Sequence, residues 1–129
     1  MLLRLLLLLS LLATPAFAQR PTDYPPHMRR LVNGWGTMLG LVSTCSLRPE
    51  PWVATLRGQI ATAAREMARS PDEVAPTLSA VAQQEAEART VAQQQGRAYC
   101  DAVAGPLLPI ADDVVAGRAN LATVAARTR

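Results

Sequence analysis

The sequence has no lysine, one histidine, one phenylalanine and two cysteines among its 129 residues. Each scarcity excludes something. With His27 as the sole histidine and no CxxC, CxxCH, HExxH, GxSxG or phosphate-binding glycine loop, several chemistries lack their residues: dithiol exchange, haem attachment, zinc hydrolysis, serine hydrolysis and nucleotide binding. A basic block is also missing. Thirteen arginines face ten acids, and the formal charge of +3 is spread along the chain, which argues against a nucleic-acid or membrane-surface partner. The lack of lysine reads as codon bias in a GC-rich bacterial genome, because arginines serving one function would cluster. No stretch alternates apolar and polar residues as a half-buried strand must, and aromatics make up only 4%. The expected class is therefore all-α, with a core built from aliphatic side chains and alanine.

The N-terminus reads as a secretory signal peptide over residues 1–18. Arg4 is followed by an apolar run at 5–12, then Pro15 and the small-residue site Ala16-Phe17-Ala18. The run is shorter than the roughly 20 apolar residues that span a bilayer, so cleavage and no stable membrane insertion are expected. No cysteine stands at the cleavage site to carry a lipid. Residues 19–26 hold three prolines in eight and form an extended lead-in. Residues 27–129 then make a single helical domain, with the periplasm or the secreted fraction as its compartment.

The chain is organised around residues 27–46. Met28, Leu31, Val32, Trp35, Met38, Leu39, Val42 and Cys45 recur at spacings of three and four and form one apolar stripe. Arg29, Arg30, Asn33, Thr37 and Ser43 lie opposite. Gly36, Gly40 and Thr44 form a row of small residues along one edge, which would let another backbone approach closely. Pro49 and Pro51 end this helix, and Pro51 opens a second one through residue 69 on Trp52, Val53, Leu56, Ile60, Ala63, Ala64 and Met67. Ser70-Pro71-Asp72-Glu73 has the pattern of a capping box. Pro76 predicts a kinked or broken start, so a third helix is placed at 77–104 with Leu78, Val81, Glu85, Ala88, Ala92, Tyr99 and Val103 facing inward. Gly105-Pro106 and Pro109 stop it. A fourth helix at 109–127 presents Ile110, Val114, Leu121, Val124 and Ala125, with Gly117 weakening its centre.

Four helices on short connections predict a mostly up-down bundle. In that topology the ends of the first and third helices meet, which brings Cys45 near Cys100. In an exported chain, the pair is expected to form a long-range disulfide.

The remaining candidates are weighed by their surroundings. His27 reads as a solvated residue at a helix start. Met28, Met38 and Met67 lie on apolar faces, where packing accounts for them better than copper does, so no metal or cofactor is expected. Asp112-Asp113 and the Glu85, Glu87 pair point in divergent directions, as solvated acids do, and no catalytic residue is assigned. Trp35, Gly36, Gly40 and Trp52 are the candidate partner or ligand surface: small residues beside large rings can pack a core or leave a groove.

The chain is similar in outline to the small exported helical acid-stress chaperones with one long-range disulfide. It shares the cysteine pair with them and lacks their charge-rich composition. The expected function is non-catalytic: a small exported helical protein that binds another envelope protein or itself, with a stress chaperone or a carrier of a small hydrophobic ligand as alternatives.

Overall fold

The computed structural model describes residues 23–127. The signal-peptide reading of residues 1–18 lies outside them. Every regular element among the described residues is helical. The first segment opens with a 3-10 turn at Pro26–Met28, passes through a π turn at Leu31–Trp35 and continues as α1, Gly36–Thr44. There follow α2 (Glu50–Met67), α3 (Val74–Gln95), α4 (Arg97–Ala104), α5 (Leu108–Val115) and the short α6 (Leu121–Ala126).

The four expected helices are thus five of eight residues or more, with a six-residue sixth. Two glycines account for the difference. Gly96 has φ +84° and Gly117 has φ +78°, a region that L side chains rarely adopt and where a helix cannot continue. The first glycine divides the expected 77–104 helix into α3 and α4. The second divides 109–127 into α5 and α6, and α6 restarts on Asn120, whose side chain accepts a hydrogen bond from the Thr123 amide at 2.9 Å.

Pro76 does not break α3, because it stands in the first turn, where an amide has no helical partner to lose. The capping box is replaced by a bond one residue earlier. Ser70 makes no side-chain cap, while the Glu73 carboxylate accepts from the Arg69 amide at 2.7 Å.

The up-down course survives these breaks. Gly36 lies against Val81 and Gln84, and Gly40 against Glu85, Ala88 and Arg89, so α1 and α3 run in the same direction. His27 Nε2 lies 3.1 Å from the Met67 carbonyl oxygen and 3.5 Å from Glu73, which puts the start of the first segment beside the end of α2 and the start of α3. His27 is therefore a partly buried tether between elements and is not simply solvated. Along α2, Trp52 meets Asp112, Gln59 meets Val114 and Glu66 meets Asn120, so α5 and α6 follow the direction of α2.

The core is the predicted stripe with its neighbours. Met28, Leu31, Leu39 and Val42 are fully buried, as are Leu56 and Ala64 of α2 and Ala111 of α5. α1 is buried on more than one face, since Leu41 also lies inside. α3 contributes mainly Ala80, Val81, Ala88 and Ala92, a low-volume face that requires close approach.

Gly36 and Gly40 provide that approach. A Cβ on Gly40 would lie 2.5 Å from the Glu85 carbonyl oxygen, 2.7 Å from the Ala88 Cβ and 3.0 Å from the Arg89 amide nitrogen. At Gly36 it would meet Gln84 Cβ at 2.9 Å and the Val81 carbonyl oxygen at 3.1 Å. In a square up-down bundle the first and third helices are diagonal. Here the two touch along the row of small residues, and Gln84 of α3 donates to Thr37 of α1 at 3.0 Å.

Cys45, just past α1, is bonded to Cys100 of α4 across 55 residues, with Cα atoms 6.5 Å apart. Cys100 is wholly buried. No described helix is long and apolar enough to cross a membrane.

Three outcomes follow for stability, all read from urea unfolding. Gly40→Ala should cost about 1–3 kcal/mol, because backbone atoms of α3 cannot yield to the methyl group. Gly58→Ala in the middle of α2, where nothing lies within 4 Å, should instead stabilise by about 0.5–1 kcal/mol. The Cys45→Ala, Cys100→Ala double variant should lose about 2–5 kcal/mol, since the bond removes loop-closure freedom from the unfolded chain.

Candidate functional site

Three features distinguish the surface: two ion-pair clusters and an apolar groove. The first cluster centres on Asp112 of α5. Its Oδ1 accepts from Arg48 Nε at 2.9 Å and from Trp52 Nε1 at 3.0 Å, and its Oδ2 accepts from Arg48 Nη2 at 2.8 Å. Arg48 also donates from Nη1 to the Leu47 carbonyl at 2.8 Å. The fork-on-carboxylate geometry ties the loop after α1 to α5, with the Trp52 indole closing one side. Arg48 holds the Asp112 carboxyl below its usual range, chiefly by hydrogen bonding, against partial desolvation and with further help from Trp52. Asp112 in turn raises the Arg48 guanidinium. A carboxylate so occupied and so acidic is a poor base, which makes the cluster a clasp.

The second cluster centres on Glu85 of α3, whose side chain is 8% exposed. Both its oxygens accept from Arg57 of α2, with Oε2 at 3.0 Å from Nη2, and Oε2 also accepts from Arg89 at 2.9 Å. The hydrogen bond to Glu85 is the main cause raising the Arg57 guanidinium. The inward direction of Glu85 is legible from helical spacing; the arginine that reaches it from α2 is not. A buried carboxylate held by two arginines has its charge compensated.

The groove lies where the π turn meets α5 and α6. Trp35, 8% exposed, and Met38 form one wall, and Ile110, Val124 and Ala125 form the other. Leu107, nearly half exposed, stands at the lip. Arg29, Arg30 and Asn33 supply the polar rim. Asn33 and Gly34 are weak α-formers, so the chain can take the wider i→i+5 turn there, and such turns recur at functional sites. The open cleft has a volume of about 420 Å³, within the range of small-molecule sites. A wider cleft of about 550 Å³ beside His27 is lined by Glu66, Arg69, Asn120 and Thr123 and is the more polar of the two.

The structure separates the four candidate surface residues. Trp35 lines the groove. Gly36 and Gly40 are buried between α1 and α3 and face no solvent. Trp52 is half-buried in the Asp112 clasp. Val103, expected to face inward, is instead exposed, because the break at Gly96 resets the phase of α4. Nothing in the sequence pairs Arg48 with Asp112, since 64 residues separate them and no local pattern joins them. Among the described residues, no three His, Cys, Asp or Glu side chains converge as a metal site would require.

Protonating Asp112 should weaken the clasp. Because its folded pKa is depressed, its stabilisation is present above the unfolded value near 3.9 and is lost as pH falls through the folded value. With both partners about one-third exposed, the contribution is about 1 kcal/mol. Asp112→Asn should cost that amount at pH 7 in thermal unfolding, and the difference from the parent should vanish in strong acid.

Comparison with known proteins gives no match: no family model, no curated protein and no solved structure aligns significantly with the chain.

Proposed function

We propose that this protein is an exported, non-catalytic helical binding protein whose working surface is the groove beside Trp35. The observation that carries the reading is the groove itself, an apolar cleft of about 420 Å³ with a polar rim, in a small helical domain whose other tryptophan and buried acid are held in internal contacts. The disulfide and the absence of a membrane-spanning helix among the described residues accord with export, and we take the periplasm as its compartment.

Binding another envelope protein, or a second copy of the chain, is the second reading. It is favoured by Val103 and Leu107, 39% and 47% exposed, the two large apolar side chains exposed among the described residues, the second of them at the groove lip. A chaperone role has less support: with a single histidine and ten acids, little charge changes between neutral and mildly acidic pH.

The test uses the neutral dye N-phenyl-1-naphthylamine. The protein should bind it saturably, with a fluorescence gain and quenching of Trp35, and Val124→Trp, which fills the groove, should abolish binding while leaving the far-UV circular dichroism unchanged. Absence of saturable binding, or equal binding by the filled variant, would overturn the reading.

A further inference from the structure

The polar groups that line the groove carry one sign of charge. Arg29 and Arg30 are both exposed at its rim, and no Asp or Glu is among its lining residues. Elsewhere the arginines beside buried or half-buried positions are answered by acids: Arg48 by Asp112, and Arg57 and Arg89 by Glu85. The Arg29 side chain makes no hydrogen bond or ion pair among the described residues, and the Arg30 side chain donates only to the Arg127 carbonyl. Two guanidinium groups from neighbouring residues, with no carboxylate among the described residues that line the cleft, thus stand at the rim of an apolar cleft walled by Trp35, Met38, Ile110 and Val124.

We propose that the groove takes a single-chain amphiphile with a carboxylate headgroup, its alkyl chain along Trp35 and Met38 and its head at Arg29 and Arg30. This rests on the binding reading above and narrows it to a ligand class. Three arguments select it. The guanidinium fork matches a carboxylate in geometry as well as charge. The volume suits a small molecule. A protein partner would find little more to cover, because a stable partner covers about 800 Å² on each side and, among the described residues, Val103 is the one exposed large apolar side chain outside the cleft lining.

The experiment titrates the purified protein with dodecanoate and with dodecanol, both below their aggregation limits, and reads tryptophan fluorescence. The carboxylate should bind about tenfold tighter than the alcohol, as a charge-assisted hydrogen bond implies. Arg29→Gln should shrink the gap to about twofold and leave thermal unfolding unaltered, since the Arg29 side chain makes no hydrogen bond or ion pair among the described residues. Arg29→Glu should reverse the preference. Val124→Trp should abolish both titrations.

Equal affinities for the two ligands would overturn the anionic assignment while leaving the binding reading intact. Failure of both ligands to bind would overturn the two together. Binding to vesicles containing phosphatidylglycerol without binding to free dodecanoate would give the groove to a membrane surface and overturn the proposal. A fluorescence change that follows protein concentration alone would give it to a second copy of the chain, with the same result.

Discussion

The close contact of α1 with α3 governs the architecture. Where Gly40 passes the Glu85 carbonyl and the Ala88 methyl there is no space for even one carbon more. α3 has little bulk to offer, because its buried face is mainly alanine. Small residues on both helices therefore substitute backbone proximity for side-chain volume, and dispersion between closely spaced atoms replaces the burial of large side chains. The same contact fixes α1 in rotation. With Gly36 and Gly40 turned toward α3, Leu39 and Val42 fall into the core and Trp35 and Met38 are left toward α5 and α6.

Polar interactions then lock what the glycines align. Glu85 lies over the closest approach, its carbonyl against Gly40 and its carboxylate drawn to Arg57, so the third helix is tied to the second at the height where it meets the first. Arg48, Asp112 and Trp52 do the same for the opposite side, joining the loop after α1 to α2 and α5. The disulfide closes the end of the bundle where α1 finishes. Each of the three joins segments distant in the chain, which is where a small alanine-rich core has least to offer by itself.

The sequence reveals what depends on local period and little of what depends on meeting. The stripe from Met28 to Val42, the inward residues of α2 and the pairing of the cysteines all follow from spacing and topology, and the structure places them accordingly. The glycine row is legible as a site of close approach, though not that α3 consumes it. The helix breaks are harder to read. Gly96 follows a run of glutamines and alanines with high helix propensity, so its neighbours do not announce a positive φ. That one break also turns Val103 outward. Asp112 looks solvated in sequence because its partners, Arg48 and Trp52, are 64 and 60 residues away. The groove is legible only as a tryptophan among small residues; its far wall, from Ile110 and Val124, appears only once α5 and α6 are folded against it.

The π turn at Leu31–Trp35 carries a further implication. Its wider ring admits one residue more than an α turn, and one residue corresponds to about 100° of rotation about the helix axis. The turn therefore acts as a gear between two halves of one rod. Downstream, Gly36 and Gly40 mesh with α3; upstream, Met28 and Leu31 are seated in the core while Arg29 and Arg30 point to the groove. Losing or gaining a single residue there would swing Met28 into water and carry the arginines off the groove together. Substitutions along this stretch can be absorbed one at a time, but its length cannot drift, because the same extra residue keeps both the packing and the rim in phase.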